Sequence, residues 1–341
     1  MIAGRSALCL LAALSAAGPG CGKRESAPAG PAPELTGLAV VPASAEVIVG
    51  AELGKLAGSP VVERAAEQLL LHDAALAERW QRIRAECKID VGKQIKRLML
   101  ALGPAADAVG TGPVLMVAVG ALPEPDLKDC VTRLVGTGTG SVTGKSVLGR
   151  TLYVVRDGNR TMYFAYTRAD TIVLGANEAY VTEALGTGKK APDNPDMTRW
   201  RALVNQNAPL WAVGRTDPRI RDGLVQLTEH KISAGPVAFA ASADLADGAQ
   251  LALHVVMSAP DHAKSLETYA KTELALLTAA AQMKSLGPVM GKIAVTSDAS
   301  VVQFRAALSV EDLNQLLSML DEGSTPAQNR APAPSGTGSD H

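Results

Sequence analysis

The sequence has 341 residues, 33 Lys and Arg against 34 Asp and Glu, and a formal net charge of −1. With 47% hydrophobic and 20% charged residues it is not a disordered chain, and its balanced charge offers no global field for nucleic acid or an anionic surface. Aromatic residues make up only 3%, so stacking platforms for bases or sugars are scarce and the expected core is Ala, Val and Leu.

Arg5 precedes an apolar run, Ala7–Ala17, which breaks at Gly18-Pro19-Gly20. One positive charge, a short apolar stretch and small residues at its end predict an export signal over 1–20, too short for a permanent bilayer span. Cys21 follows directly and opens a Pro/Ala/Gly-rich stretch over 21–41, read as a flexible tether. The arrangement resembles bacterial lipoproteins, which implies acylation of Cys21 by a palmitate-type chain. Gly22 after the cysteine, by the same resemblance, favours the outer membrane, on its periplasmic side or at the cell surface. Ser15-Ala16-Ala17 offers a competing cleavage site that would release a freely diffusing exported protein.

Ala45–Ala51 reads as the first strand of the folded part. Ser59-Pro60 then opens one long helix with an apolar face at Val62, Ala65, Ala66, Leu69, Leu76, Trp80 and Ile83. Arg97–Gly103 and Pro113–Gly120 are short apolar runs bounded by turn residues, hence buried strands. A helix over Asp126–Leu134 follows, then a meander of Thr151–Arg156, Thr161–Thr167 and Thr171–Gly175, then a helix over Glu178–Leu185. Asp157-Gly158-Asn159 supplies the first hairpin turn of that meander.

The order then repeats. Pro209–Gly214 stands for the first strand, and Asp217-Pro218 opens a helix as Ser59-Pro60 does. Pro236–Ala243 and Gln250–Met257 are the next two strands, and Pro260–Met283 is a long helix. Lys292–Ser297 and Val301–Leu308 form a returning hairpin, and Val310–Leu320 the last helix; a match to Thr171–Gly175 is missing. The expected fold is therefore α+β, with two tandem similar lobes over 42–190 and 191–321, each a mostly antiparallel sheet against helices. Gly186–Pro195 is the expected junction, and 322–341 a disordered tail.

With Cys9 lost in the signal, Cys87 and Cys130 remain in the folded part. Export permits a disulfide between them, and two separate buried thiols are the alternative. Neither cysteine has a second Cys or a His at ligand spacing, so no metal site is expected. The strand Pro42–Val47 (PASAEV), Cys87 ahead of Ile89-Asp90, Cys130 in the next helix and Asp170–Gly175 (DTIVLG) resemble exported lipoproteins found in myxobacterial genomes. That resemblance covers most of 40–320 and implies no activity.

Several stretches approach catalytic patterns without meeting them. Gly136–Ser146 ends in Gly144-Lys145-Ser146, but Thr139 stands where a phosphate loop needs Gly, and no helix pattern follows. We read it as a flexible glycine loop. Gly144–Gly149 is one residue too long for a nucleophile elbow. His72, His230, His254, His262 and His341 show no zincin-like spacing. The densest basic stretch, Arg79, Arg82, Arg84, Lys88, Lys93, Lys96 and Arg97, is offset by Glu78, Glu86 and Asp90 and reads as a solvated helix face.

The sequence thus supports a non-enzymatic cell-envelope lipoprotein with a binding or structural role, without cofactor, catalytic or metal residues. Its partners would be the membrane, through Cys21, and an envelope protein or lipid, with no nucleic acid; oligomeric state is not readable. One alternative is a carrier for an acyl chain, lined by Leu98–Leu102, Val114–Val119, Val237–Ala241 and Leu251–Met257. The other is an exported hydrolase with a site at the lobe junction, near Gly144–Gly149 or Asp193–Arg201.

Overall fold

A computed structural model describes residues 34–87, 90–105, 112–136, 138–205, 207–282 and 287–323. The signal, Cys21, most of the tether and nearly all of the expected tail lie outside the described residues, as do Lys88, Ile89 and His341.

Strand β1 (Val47–Glu52) runs into a single turn, α1 (Leu53–Leu56), and two helices, α2 (Pro60–His72) and α3 (Ala74–Cys87). After α4 (Val91–Gln94) come β2 (Ile95–Leu102), β3 (Val114–Gly120) and α5 (Glu124–Gly136). A meander follows: β4 (Ser141–Val147), β5 (Arg150–Asp157), β6 (Arg160–Arg168) and β7 (Thr171–Gly175), closed by α6 (Glu178–Leu185) and α7 (Pro195–Arg201). The second half holds β8 (Leu210–Arg215), α8 (Pro218–Leu227), β9 (Ala238–Asp244), β10 (Ala249–Val256), α9 (Pro260–Gln282), α10 (Gly287–Met290), β11 (Ile293–Asp298), β12 (Val301–Leu308) and α11 (Val310–Gly323).

The α+β class stands, with the strands of both halves joined in one antiparallel sheet. Its order is β11-β12-β10-β9-β8-β1-β2-β3-β7-β6-β5-β4. The halves meet edge to edge where β1 pairs with β8, Val49 opposite Ala212. Outward from that seam, β12 lies beside β10 as β7 lies beside β3. The segment without a counterpart in the second half is therefore the β4–β5 hairpin, and not Thr171–Gly175 as the linear order suggested.

Two other expectations are corrected. The single helix expected after Ser59 is two, because Asp73 leaves helical geometry and its carboxylate accepts from the Leu76 amide, capping α3. An Asp side chain that satisfies an orphan amide stabilises a new N-terminus over continuation. The expected glycine loop is also part strand. Ser141–Val147 pairs along β5, Gly144 opposite Tyr153, and turns back through Leu148 and Gly149, both at positive φ.

Elsewhere the local signals act as expected. Pro218 opens α8 with the Asp217 carboxylate accepting from the Arg219 amide, and Asn194 caps α7 just ahead of Pro195. Gly158 holds positive φ between β5 and β6.

Strand alternation gives the sheet two faces. On one, Ile48, Met99, Leu115, Val117, Val173, Val213 and Ala240 are buried against Tyr180, Val181 and Leu185 of α6 and Met197 and Trp200 of α7. This core draws on both halves and is the largest buried cluster among the described residues. The opposite face is covered only in places. There α5 packs over Val155, Phe164, Tyr166 and Ile172. At the other edge α9 packs over Val255, Val295 and Val302, while α11 brings Leu313 and Leu316 against Ala249 and Leu308. Among the described residues, no helix covers the part of this face between them. No helix among the described residues is long and apolar enough to cross a membrane.

Candidate functional site

None of the near-motifs assembles chemistry. Gly144-Lys145-Ser146 lies in the extended edge strand β4, where backbone amides cannot wrap a phosphate, and Lys145 pairs with Glu178 at 2.6 Å. Gly144–Gly149 also sits six strands from β1, which removes it from the junction between halves. Asp193–Arg201 does adjoin that junction, but its carboxylates are engaged locally. Asp193 accepts from the Lys190 amide at 2.8 Å, and Asp196 pairs with Arg199 at 2.9 Å and Arg215 at 3.4 Å.

The histidines are separate. His262 Nδ1 and Ser258 Oγ are 2.8 Å apart at the start of α9, and no carboxylate bonds to that ring among the described residues. His254 Nε2 meets the Gln303 side chain at 2.6 Å, while burial pushes its pKa down. His72 ends α2, and His230 follows α8 in left-handed geometry. No cluster of metal-ligating side chains occurs among the described residues. In the basic stretch Arg82 pairs with Glu78 at 3.1 Å, Lys93 with Asp90 at 3.2 Å and Arg97 with Glu52 at 2.5 Å. Cys87 and Cys130 are joined by a disulfide that fastens α3 to α5.

The open middle of the sheet holds a different kind of site. A groove of about 520 Å³ runs across β1, β8, β9, β10, β12 and β11. Small side chains, Ala212, Ala241, Ala243 and Ala306, make its floor, and Leu210, Leu251, Leu253, Ile293 and Phe304 stand around it. Register places these on one face: Leu253 is opposite Ala241 and Phe304, and Leu251 opposite Ala243 and Ala306. Leu251 and Leu253 are 39% and 38% exposed, high for leucines on a strand paired on both sides. Trp211, Ser242, Ala252 and Arg305 alternate to the other face and border the groove with backbone. Those strand amides and carbonyls are paired in the ladder, so the surface offered is essentially hydrocarbon.

The same face continues across β2 and β3 through the half-buried Leu98, Leu100, Leu102 and Met116 to Val114, which is 47% exposed. Of the lining expected from sequence, Ala241, Leu251 and Leu253 are in the groove, and Leu98, Leu100, Leu102, Val114 and Met116 share its face outside it. Met99, Leu115, Val117, Ala238 and Ala240 are buried on the opposite face, and Val255 and Met257 lie under α9. Val49, Leu210, Ala212, Ile293, Phe304 and Ala306 were missed. Alanine at alternate strand positions was an available signal for Ala212 and Ala306 only.

Other cavities occur, and two of them are larger than the groove. One of about 780 Å³ sits beneath the α2–α3 hairpin, lined by Leu53, Leu56, Val62, Ala66 and Trp80, with Glu63, Arg84 and Asp90 also in its wall. The other, about 730 Å³, lies at the β6–β7 turn with Glu124, Arg150, Arg168 and Asp170 in its wall. Its charges are internally matched, Arg168 to Asp170 at 3.0 Å. The Tyr153 hydroxyl donates to Glu124 at 2.7 Å, and that bond pushes the phenol up to about 12.

No family model matches the chain, and no curated protein does. Among solved structures, one described as "Structure of crystal form I of TP0453" superposes with a TM-score of 0.41 at 8% identity, over 84% of this chain and 96% of that one. That overlap is too loose to bear on function.

Proposed function

We propose that this is a non-enzymatic exported lipoprotein of the cell envelope, anchored to the outer membrane through Cys21, that binds the acyl chain of a lipid in the open groove. The observation that carries the reading is the groove itself, about 520 Å³ of hydrocarbon-lined space left uncovered at the middle of a sheet. Its size falls within the ~300–1,000 Å³ range of small-molecule sites. An acyl chain suits it because such a ligand asks for no hydrogen bond and gains about 0.8 kcal/mol per buried methylene. Alanines at four positions leave depth that larger residues would fill. The leader, the cysteine behind it and the disulfide-bonded pair in the folded part are together consistent with export.

The test is direct binding of cis-parinaric acid, a fluorescent fatty acid, to the exported chain carrying Cys21→Ser, so that no covalent acyl group competes. Saturable binding that weakens at least about tenfold in Ala241→Phe supports the reading. Absence of saturable binding contradicts it.

A further inference from the structure

We propose that the cavity beneath the α2–α3 hairpin is a second ligand site, one that takes the zwitterionic headgroup of a phospholipid. The ammonium lies at Trp80 and Glu63, and the phosphate at Arg84. The cavity shares no lining residue with the open groove, so the inference stands apart from the acyl-chain reading.

Helical spacing builds the walls. Val62 and Ala66 are one turn apart on α2, with Glu63 beside Val62, and Trp80 and Arg84 are one turn apart on α3. Leu53 and Leu56 of α1 complete an apolar lining. At Gly58, also in the wall, nothing lies within 4 Å of where a Cβ would stand, so the space there stays open. The wall that carries Trp80 and Arg84 is held in place, because α3 packs along α5 and the disulfide fastens the two. At about 780 Å³ the cavity is the size of a small-molecule site.

The charges in that wall are what select the ligand. Asp90 is paired with Lys93 at 3.2 Å. Glu63 and Arg84 remain, opposite in sign, and neither side chain has a hydrogen-bond or ion-pair partner among the described residues, the other one included. Helix dipoles favour an acid in the first turn of α2 and a base in the last turn of α3, but they do not require both to face one cavity. Trp80 is 36% exposed, a large ring left open in a concave wall beside a guanidinium. An indole face and a carboxylate together hold an ammonium, and a guanidinium grips phosphate through paired N–H donors. A ligand with one charge leaves either Glu63 or Arg84 unmatched. A free amino acid carries both charges but is too small to fill the space, whereas the glycerol and first methylenes of a phospholipid continue onto Leu53, Leu56 and Val62.

The test is a titration of the full exported chain carrying Cys21→Ser with dihexanoylphosphatidylcholine, kept monomeric, followed by calorimetry and tryptophan emission. Saturable binding is expected, with an emission change that disappears in Trp80→Phe. Glu63→Gln and Arg84→Gln should each weaken binding at least about fivefold. Both positions are exposed, so these variants keep the fold, which an unchanged urea midpoint verifies. Dihexanoylphosphatidylglycerol, which lacks the ammonium, should bind at least about tenfold more weakly. Ala241→Phe, in the groove, should leave the affinity for the choline lipid unchanged. Absence of saturable binding would overturn the site, as would equal affinity in Glu63→Gln and Arg84→Gln. Loss of binding in Ala241→Phe would place the lipid in the groove and overturn a second site. Equal affinity for the two lipids, or binding of free leucine in place of either, would overturn the headgroup assignment. Whether cis-parinaric acid binds decides the groove reading alone.

Discussion

Gly50 of β1 and Trp211 of β8 are register partners across the seam between the halves, and the indole lies where any side chain on Gly50 would stand. Trp211 is in turn covered by Arg201, whose guanidinium carbon is 5.7 Å from the ring centroid, and Arg215 lies 5.8 Å from Trp200 in the same way. At the seam, then, one indole is seated on a glycine and covered by a guanidinium. Gly50→Ala forces the indole or the strand pair to shift. We expect a loss of about 1–3 kcal/mol, the usual cost of overpacking, measured as a lower urea midpoint. An unchanged midpoint would mean that the indole has room to move.

Glu267 predicts the acid limb of stability. Its carboxylate, on α9, accepts from Lys264 at 2.8 Å, Lys271 at 2.6 Å and Ser297 at 2.6 Å. These bonds, Lys264 first, hold its pKa down to about 2 from 4.5. Because the folded value is the lower one, the contribution is complete above about pH 4.5 and is lost as pH falls toward 2. Glu267→Gln should therefore flatten the fall in urea midpoint between pH 5 and 2, and a fall as steep as wild type would refute the assignment.

Much of this architecture is legible in sequence because its signals are local. Asp217-Pro218 marks a helix start through a cap and a fixed φ, and Ser59-Pro60 does so through the proline, the Ser59 hydroxyl being bonded to the Leu245 carbonyl instead. Thr171–Gly175 and Val114–Gly120 declare themselves by short apolar runs. The break at Asp73 is invisible to periodicity, since the apolar spacing runs on through it while one capping bond decides the matter. Ser141–Val147 carries glycine and polar residues because it is an edge strand, and its conformation comes from pairing with β5. The groove is the least legible feature. Val49 and Ala306 are 257 positions apart, and only the completed sheet places both at one opening.

Lys190 offers a test of how the segment after α6 is held. Its side chain is 7% exposed, and its ammonium donates to the carbonyls of Glu183 at 2.8 Å and Ala184 at 2.9 Å. It thereby adds a donor to two carbonyls at a helix C-terminus, of which the Glu183 one also accepts from the Gly186 amide at 3.2 Å. Burial drives its pKa down, so the charge is held by those carbonyls and by the Glu183 side chain. Lys190→Met keeps the volume and leaves the carbonyls without this donor. A loss of about 1–3 kcal/mol in chemical denaturation is expected.

The disulfide should contribute through the unfolded chain. Its cysteines are 43 positions apart, so loop closure predicts about 4 kcal/mol, with ~2–4 typical of measured bonds. Denaturation of Cys87→Ser with Cys130→Ser against wild type measures it directly. A difference below about 1 kcal/mol would show that the reduced unfolded chain retains structure across this loop.

The most direct test of the central claim is a fluorescence titration of the Cys21→Ser chain with cis-parinaric acid, run beside Ala241→Phe at matched stability. The account predicts saturation at one equivalent in the groove and loss of that binding when phenylalanine fills its floor. Saturable binding of equal affinity in both proteins would place the ligand elsewhere, and no binding in either would contradict the proposed function.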